Sequence, residues 1–155
     1  MVKFSRNSRE SISLNLTWYY SLPRWLRDIV PLILWMALIF MLSAQTDLID
    51  IEDGASEKFF YKISHLMAYA ILAWLWWRAL APQRQTSWPV LLVTLGLTVL
   101  YAISDEVHQS FVPGRHPALY DVLFDAGGAL AMALLIRYSG CLRVKSPILY
   151  TLIAI

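Results

Sequence analysis

The sequence is poor in cysteine and in charge. A single cysteine, Cys141, stands among 155 residues, which excludes an internal disulfide and any Cys-rich metal site. Charged residues make up 15% of the chain, against about 25% in soluble domains, too little to solvate a water-exposed surface. Neither a Gly-rich phosphate loop nor a nucleophile motif occurs. A cleavable leader also fits poorly. The first apolar run begins near Ile29, after a long polar lead, and Leu42-Ser43-Ala44 is only a weak small-x-small pattern.

What is there is apolar. Hydrophobic residues are 58% of the chain, with seven Trp, eight Tyr, six Phe and a mean hydropathy of +0.52. Soluble domains sit near about 45–50% apolar, so lipid is the expected solvent. That composition argues against a soluble enzyme, a nucleic-acid reader and a disordered linker.

A membrane span needs about 20 mostly apolar residues. Four stretches qualify: Ile29 to Ala44, Phe59 to Leu80, Trp88 to Ser104, and Pro117 to Tyr138. Pro31 and Pro89 fall in first turns, where a missing N–H costs little. The third stretch is expected to continue as a helix through Gln109. The predicted fold is an all-α, four-transmembrane-helix bundle over residues 29–138. An interfacial segment over 1–28, rich in Trp18, Tyr19, Tyr20 and Trp25, precedes it, and a tail over 139–155 follows.

Orientation follows from the basic residues. Lys3, Arg6, Arg9, Arg24, Arg27, Arg78, Arg84, Arg137, Arg143 and Lys145 lie on one side of a four-span chain. The opposite loop carries Asp47, Asp50, Glu52, Asp53 and Glu57 against Lys58 alone. This bias places both termini in the cytoplasm.

Several polar residues fall where lipid-facing helices carry none. Lys62, His65 and Tyr69, spaced i, i+3, i+7, share one face of the second span. The third span ends in Asp105, Glu106, His108 and Gln109. Pro113-Gly114 suits a tight turn that aims Arg115 back at the bundle. The fourth span opens with Asp121 and Asp125 one turn apart, followed by Gly127, Gly128, Ala129, Ala131 and Ala133, which suit close helix contact. Three helices thus bring polar groups to one extracytoplasmic level. An ionisable group inside a span costs roughly 2.5–3.5 kcal/mol and is a functional candidate by default. Plainer readings stand beside this one. Asp121 and Asp125 suit a helix N-terminus, Lys62 can snorkel to the headgroups, and Tyr69 can be packing. His116 suits a loop, and the whole cluster can be a structural ion-pair network. The cytoplasmic halves of the spans look almost free of polar residues, which counts against a continuous proton or ion pathway.

The string Lys62-x-x-His65-x-x-x-Tyr69, then Asp105-Glu106-x-x-Gln109-x-Phe111-Val112-Pro113-Gly114-Arg115, then Asp121-x-x-x-Asp125-x-x-Gly128-Ala129 resembles the VanZ-like family. Ser43-Ala44-Gln45 extends the likeness to the first span. Two positions depart from the family pattern: Tyr61 stands where Asp is usual, and Asp125 where Asn is usual. The resemblance implies a multi-pass membrane protein of the cell envelope, in a family whose founding member is associated with teicoplanin resistance.

Two functions compete. In one, the polar site binds or acts on an amphipathic substrate that is phosphate-bearing or lipid-linked. Lys62 and Arg115 clamp a phosphate, Glu106 and His65 act as general acid and base beside Asp105, and Tyr69, Gln109, Asp121 and Asp125 line the site. An alternative role for Asp105, Glu106, Asp121 and Asp125 is to hold a Mg²⁺-like cation through oxygen ligands. In the other, the protein is a non-catalytic scaffold that alters antibiotic access or assists a partner envelope enzyme. Membrane lipids and a lipid-linked envelope precursor are the expected partners, and nucleic acid is not.

Overall fold

The structure, a computed structural model, describes residues 21–45, 55–81, 83–113 and 119–143. All the regular elements in these residues are helical. A π-helical turn, Trp25–Ile29, runs directly into helix α1, Val30–Ser43. Helices α2 (Ala55–Leu80), α3 (Trp88–Gln109) and α4 (Leu119–Arg143) follow.

The chain chemistry accounts for the boundaries. Pro31 and Pro89 sit in the first turns of α1 and α3, where proline's fixed φ is already helical. Extended Ser87 precedes α3, and α3 ends as the Ser110 amide bonds back to the Glu106 carbonyl at 3.1 Å. Sequence alone starts the first span at Ile29. The helical run begins earlier, at Trp25, because the π turn carries Arg27 and Asp28 into the same rod.

Among the described residues there are four long helices, of which three, not four, are long and apolar enough to cross a membrane by composition. These are Trp25–Ser43, Trp88–Gln109 and Leu119–Ser139. Helix α2 falls short because His65, Tyr69 and Arg78, with Trp74, Trp76 and Trp77, dilute its aliphatic content. Its position explains why it tolerates them. It packs against every other helix and most extensively against α4, so its polar face meets protein rather than lipid.

Apolar side chains fill two buried clusters and much of the outer surface. Leu32, Ile39, Tyr69, Leu72, Leu75, Ala102 and Val122 form one buried cluster, and Trp77, Ala81, Leu91 and Ile136 a second. Large apolar side chains such as Ile33, Leu34, Leu92, Leu100 and Leu123 are more than half exposed. An apolar surface this extensive matches lipid rather than water. Polar ties cross the seams. The Trp35 indole donates to the Ala68 carbonyl at 3.0 Å, and the Tyr101 hydroxyl to the Met36 carbonyl at 2.6 Å.

Gly128 lets α4 meet α2 backbone to backbone, since a Cβ there would overlap the Leu66 carbonyl. The sequence assigns Gly127 to the same close contact. A Cβ on Gly127 meets nothing within 4 Å, because this residue faces out of the seam.

Candidate functional site

The helices bring two polar groups together at opposite ends of the bundle. One, the carboxylate end, is built from Ser43 at the close of α1, the first half of α2, the last turns of α3 and the start of α4. Its centre is Asp105, 3% exposed. One carboxylate oxygen, Oδ2, accepts hydrogen bonds from the Ser43 hydroxyl at 2.8 Å, the Tyr69 hydroxyl at 3.1 Å and the Gln109 amide at 3.1 Å. The donors come from three helices, so this oxygen pins α1, α2 and α3 together. The other oxygen, Oδ1, is buried and has no hydrogen-bond partner among the described residues. Glu106, the next residue of α3, is also buried.

His65 faces the second buried acid. Its Nδ1 lies 3.3 Å from Asp125 Oδ1, on a side chain only 1% exposed. The distance suits an ion pair, but the atoms lie off the hydrogen-bond line, and both are otherwise without a hydrogen-bond partner among the described residues. The imidazole has Tyr61 on one side, with centroids 4.5 Å apart, and Tyr69 farther off at 6.4 Å. Tyr69 thus lies between His65 and Asp105, donating its hydroxyl to the latter. Both departures from the family pattern, Tyr61 and Asp125, contact this one histidine.

Lys62 closes the group on its exposed side. Its Nζ lies 3.7 Å from Asp121 Oδ1 and 4.4–4.5 Å from the ring centroids of Tyr120 and Phe124. His108 stacks on Phe40 at 4.0 Å, outside the hydrogen-bonded centre. The structure thus gathers Lys62, His65, Tyr69, Asp105, Glu106, Gln109, Asp121 and Asp125 at one end. Arg115 and His116 lie outside the described residues, as do the acidic loop over 47–53 and the apolar tail over 147–155.

The cation-holding role does not match this geometry. Among the described residues no three His, Cys, Asp or Glu side chains are grouped to hold a metal ion. The acids are divided among different partners: Asp105 with three neutral donors, Asp121 with Lys62, Asp125 with His65.

The opposite, basic end was missed by sequence reasoning, which expects cytoplasmic halves almost free of polar residues. Asp28, 1% exposed, lies among three arginines. Arg78 and Arg84 approach its Oδ1 at 3.1 and 3.2 Å, and Arg27 its Oδ2 at 3.1 Å. The Arg78 guanidinium also donates to the Arg27 carbonyl at 3.2 Å and lies over the Trp74 ring at 4.6 Å. Deeper in the bundle Thr94, Thr98 and Ser139 are buried too. Thr98 and Ser139 spend their hydroxyls on helix carbonyls, of Thr94 at 2.8 Å and Ile136 at 2.8 Å. One sequence signal did exist: Asp28 is an acid carried directly into an apolar run.

No curated protein and no solved structure matches the chain. The VanZ/LLP1 family model matches residues 5–143. That span takes in all four helices and both polar ends, and so joins the apolar bundle to the motif that fills its carboxylate end: the chain is a multi-pass membrane protein belonging to the VanZ-like family.

Proposed function

We propose that the carboxylate end is an extracytoplasmic site for an amphipathic envelope substrate, phosphate-bearing or lipid-linked. In this reading α2 also crosses the membrane, giving four spans with both termini cytoplasmic. The observation that carries the reading is the pair of buried acids: among the described residues Asp105 Oδ1 has no hydrogen bond, and Asp125 Oδ1 has only the off-line His65 imidazole at 3.3 Å. A dry carboxylate left short of donors is costly, and such sites cluster where ligands or protons are handled. Lys62, 35% exposed at its side chain, and Arg115 meet a phosphate, while His65 and Glu106 exchange protons with the bound group beside Asp105. A link to glycopeptide resistance rests on the family alone.

Glu106→Gln keeps size and hydrogen-bonding capacity and removes charge. It is expected to abolish the protein's effect on teicoplanin susceptibility or on the lipid-linked precursor pool, with membrane level unchanged. Glu52→Gln is expected to be silent. Full activity of Glu106→Gln would sink the acid–base version. Reporter fusions after residues 50 and 112 should read external and one after residue 84 internal; an internal signal at 50 overturns the topology.

The second reading, a non-catalytic scaffold, draws on the three intramolecular donors that already satisfy Asp105 Oδ2. It expects charge-removing variants at Glu106 and His65 to be tolerated in the same assay.

A further inference from the structure

At the carboxylate end Asp105, Asp121 and Asp125 have different kinds of partner. Asp105 Oδ2 takes three neutral donors, and Asp121 Oδ1 lies 3.7 Å from the Lys62 ammonium. Asp125, its side chain 1% exposed, is left to the imidazole of His65, with Oδ1 3.3 Å from Nδ1. Both atoms are buried, and neither has a hydrogen-bond partner elsewhere among the described residues.

A carboxylate oxygen and a bare imidazole nitrogen are both acceptors. Face to face at this distance in a dry site they would repel, so a proton belongs between them. In water imidazole is the stronger base of the two, which puts that proton on Nδ1. The χ2 torsion of an imidazole is broad, so the ring can turn to bring the N–H onto the line of the oxygen. The rings of Tyr61 and Tyr69, with centroids 4.5 and 6.4 Å away, bound that movement. Once Nδ1 holds the proton, the neutral ring leaves Nε2 with its lone pair, because the bond made by one nitrogen sets the state of the other. His65 keeps 18% of its side chain exposed while Nδ1 is buried, so Nε2 is the nitrogen left for a bound group. A buried aspartate orients the histidine base of hydrolytic triads by the same division of labour.

We propose that Asp125 is a positioning residue and not a substrate ligand: its carboxylate holds His65 as the Nδ1–H tautomer and so makes Nε2 the proton acceptor of the carboxylate-end site. What His65 acts on rests on the envelope-substrate reading; the tautomer stands without it.

The test is nitrogen NMR of the full chain, isotope-labelled at histidine, in phosphatidylcholine nanodiscs and followed through the His65 titration. Protonated and bare imidazole nitrogens resonate far apart, and His65→Gln identifies the signals. On the alkaline side the parent should show Nδ1 protonated and Nε2 bare. Asp125→Asn should cut the Nδ1–H share by at least half, since its amide can donate to a bare Nδ1. His108, stacked on Phe40, should keep its signals in that variant, which separates a local change from a folding defect. A neutral ring protonated at Nε2 in the parent overturns the proposal with no variant needed. So does an unchanged tautomer in Asp125→Asn, or a ring doubly protonated to the alkaline limit, which has no lone pair to give. In cells Asp125→Asn should reduce the protein's effect on the lipid-linked precursor pool or on teicoplanin susceptibility as far as His65→Gln does, and Asp125→Glu should recover part of it. Full effect in both His65→Gln and Asp125→Asn overturns the base assignment together with the use of His65 in the envelope-substrate reading. Loss in His65→Gln alone leaves that reading standing and overturns the role of Asp125.

Discussion

The two ends of the bundle solve the same problem in opposite ways. At the basic end one buried acid serves three cations, with every ion-pair distance at 3.1–3.2 Å. At the carboxylate end acids outnumber cations among the described residues, and the ion pairs are looser, at 3.3 Å for His65–Asp125 and 3.7 Å for Lys62–Asp121. Both oxygens of Asp28 are occupied, whereas among the described residues Asp105 Oδ1 has no hydrogen bond and Asp125 Oδ1 meets only the off-line His65 imidazole. The contrast teaches that a buried charge cluster is not one kind of object. Asp28 holds helices together through charge, while Asp105 does so through neutral donors and retains capacity for something else.

The sharpest way to break this comparison is to make the same change at both ends. Asp28→Asn strips three arginines of their shared acid, and breaking a buried pair costs about 3–5 kcal/mol; a large fall in Tm and membrane level is expected. Gly128→Val should come next, because its side chain would meet the Leu66 backbone and overpacking costs about 1–3 kcal/mol. Thermal unfolding should show it clearly, and Gly127→Val, where a Cβ has open space, should differ little from the parent. Asp105→Asn keeps an acceptor for Ser43, Tyr69 and Gln109, so its Tm should stay near the parent's while function is lost. Equal destabilisation by Asp28→Asn and Asp105→Asn would erase the distinction between the ends. Tyr69→Phe should cost about 1 kcal/mol for one lost hydrogen bond, less than Asp28→Asn, read as a slightly lower Tm.

The carboxylate end was legible because helical periodicity reports it directly. The i, i+3, i+7 spacing turns Lys62, His65 and Tyr69 to one side, and that side meets Asp121, Asp125 and Asp105. The basic end was not legible, because Arg78 and Arg84 reach Asp28 across 50 and 56 residues of chain. Read along the sequence, Arg27-Asp28 cancels locally and the other arginines count only as loop charges that orient the spans. Composition alone sets α2 apart from the other three helices without saying why. Its polar and aromatic content reflects a central position that only packing reveals.

Helix α1 takes part in both ends, through Asp28 at its entrance and Ser43 at its exit. Those residues are four turns and a fraction apart at about 3.6 residues per turn, so a regular rod would leave them roughly a sixth of a turn out of phase. The π turn at Trp25–Ile29 winds more slowly and takes up part of that offset. It is a rotational correction set into the rod, by which one helix keeps two distant side chains aimed inward together. The phase of α1 is therefore common property of the two polar groups, and inserting one residue between them would swing one group out toward lipid while the other stayed in place.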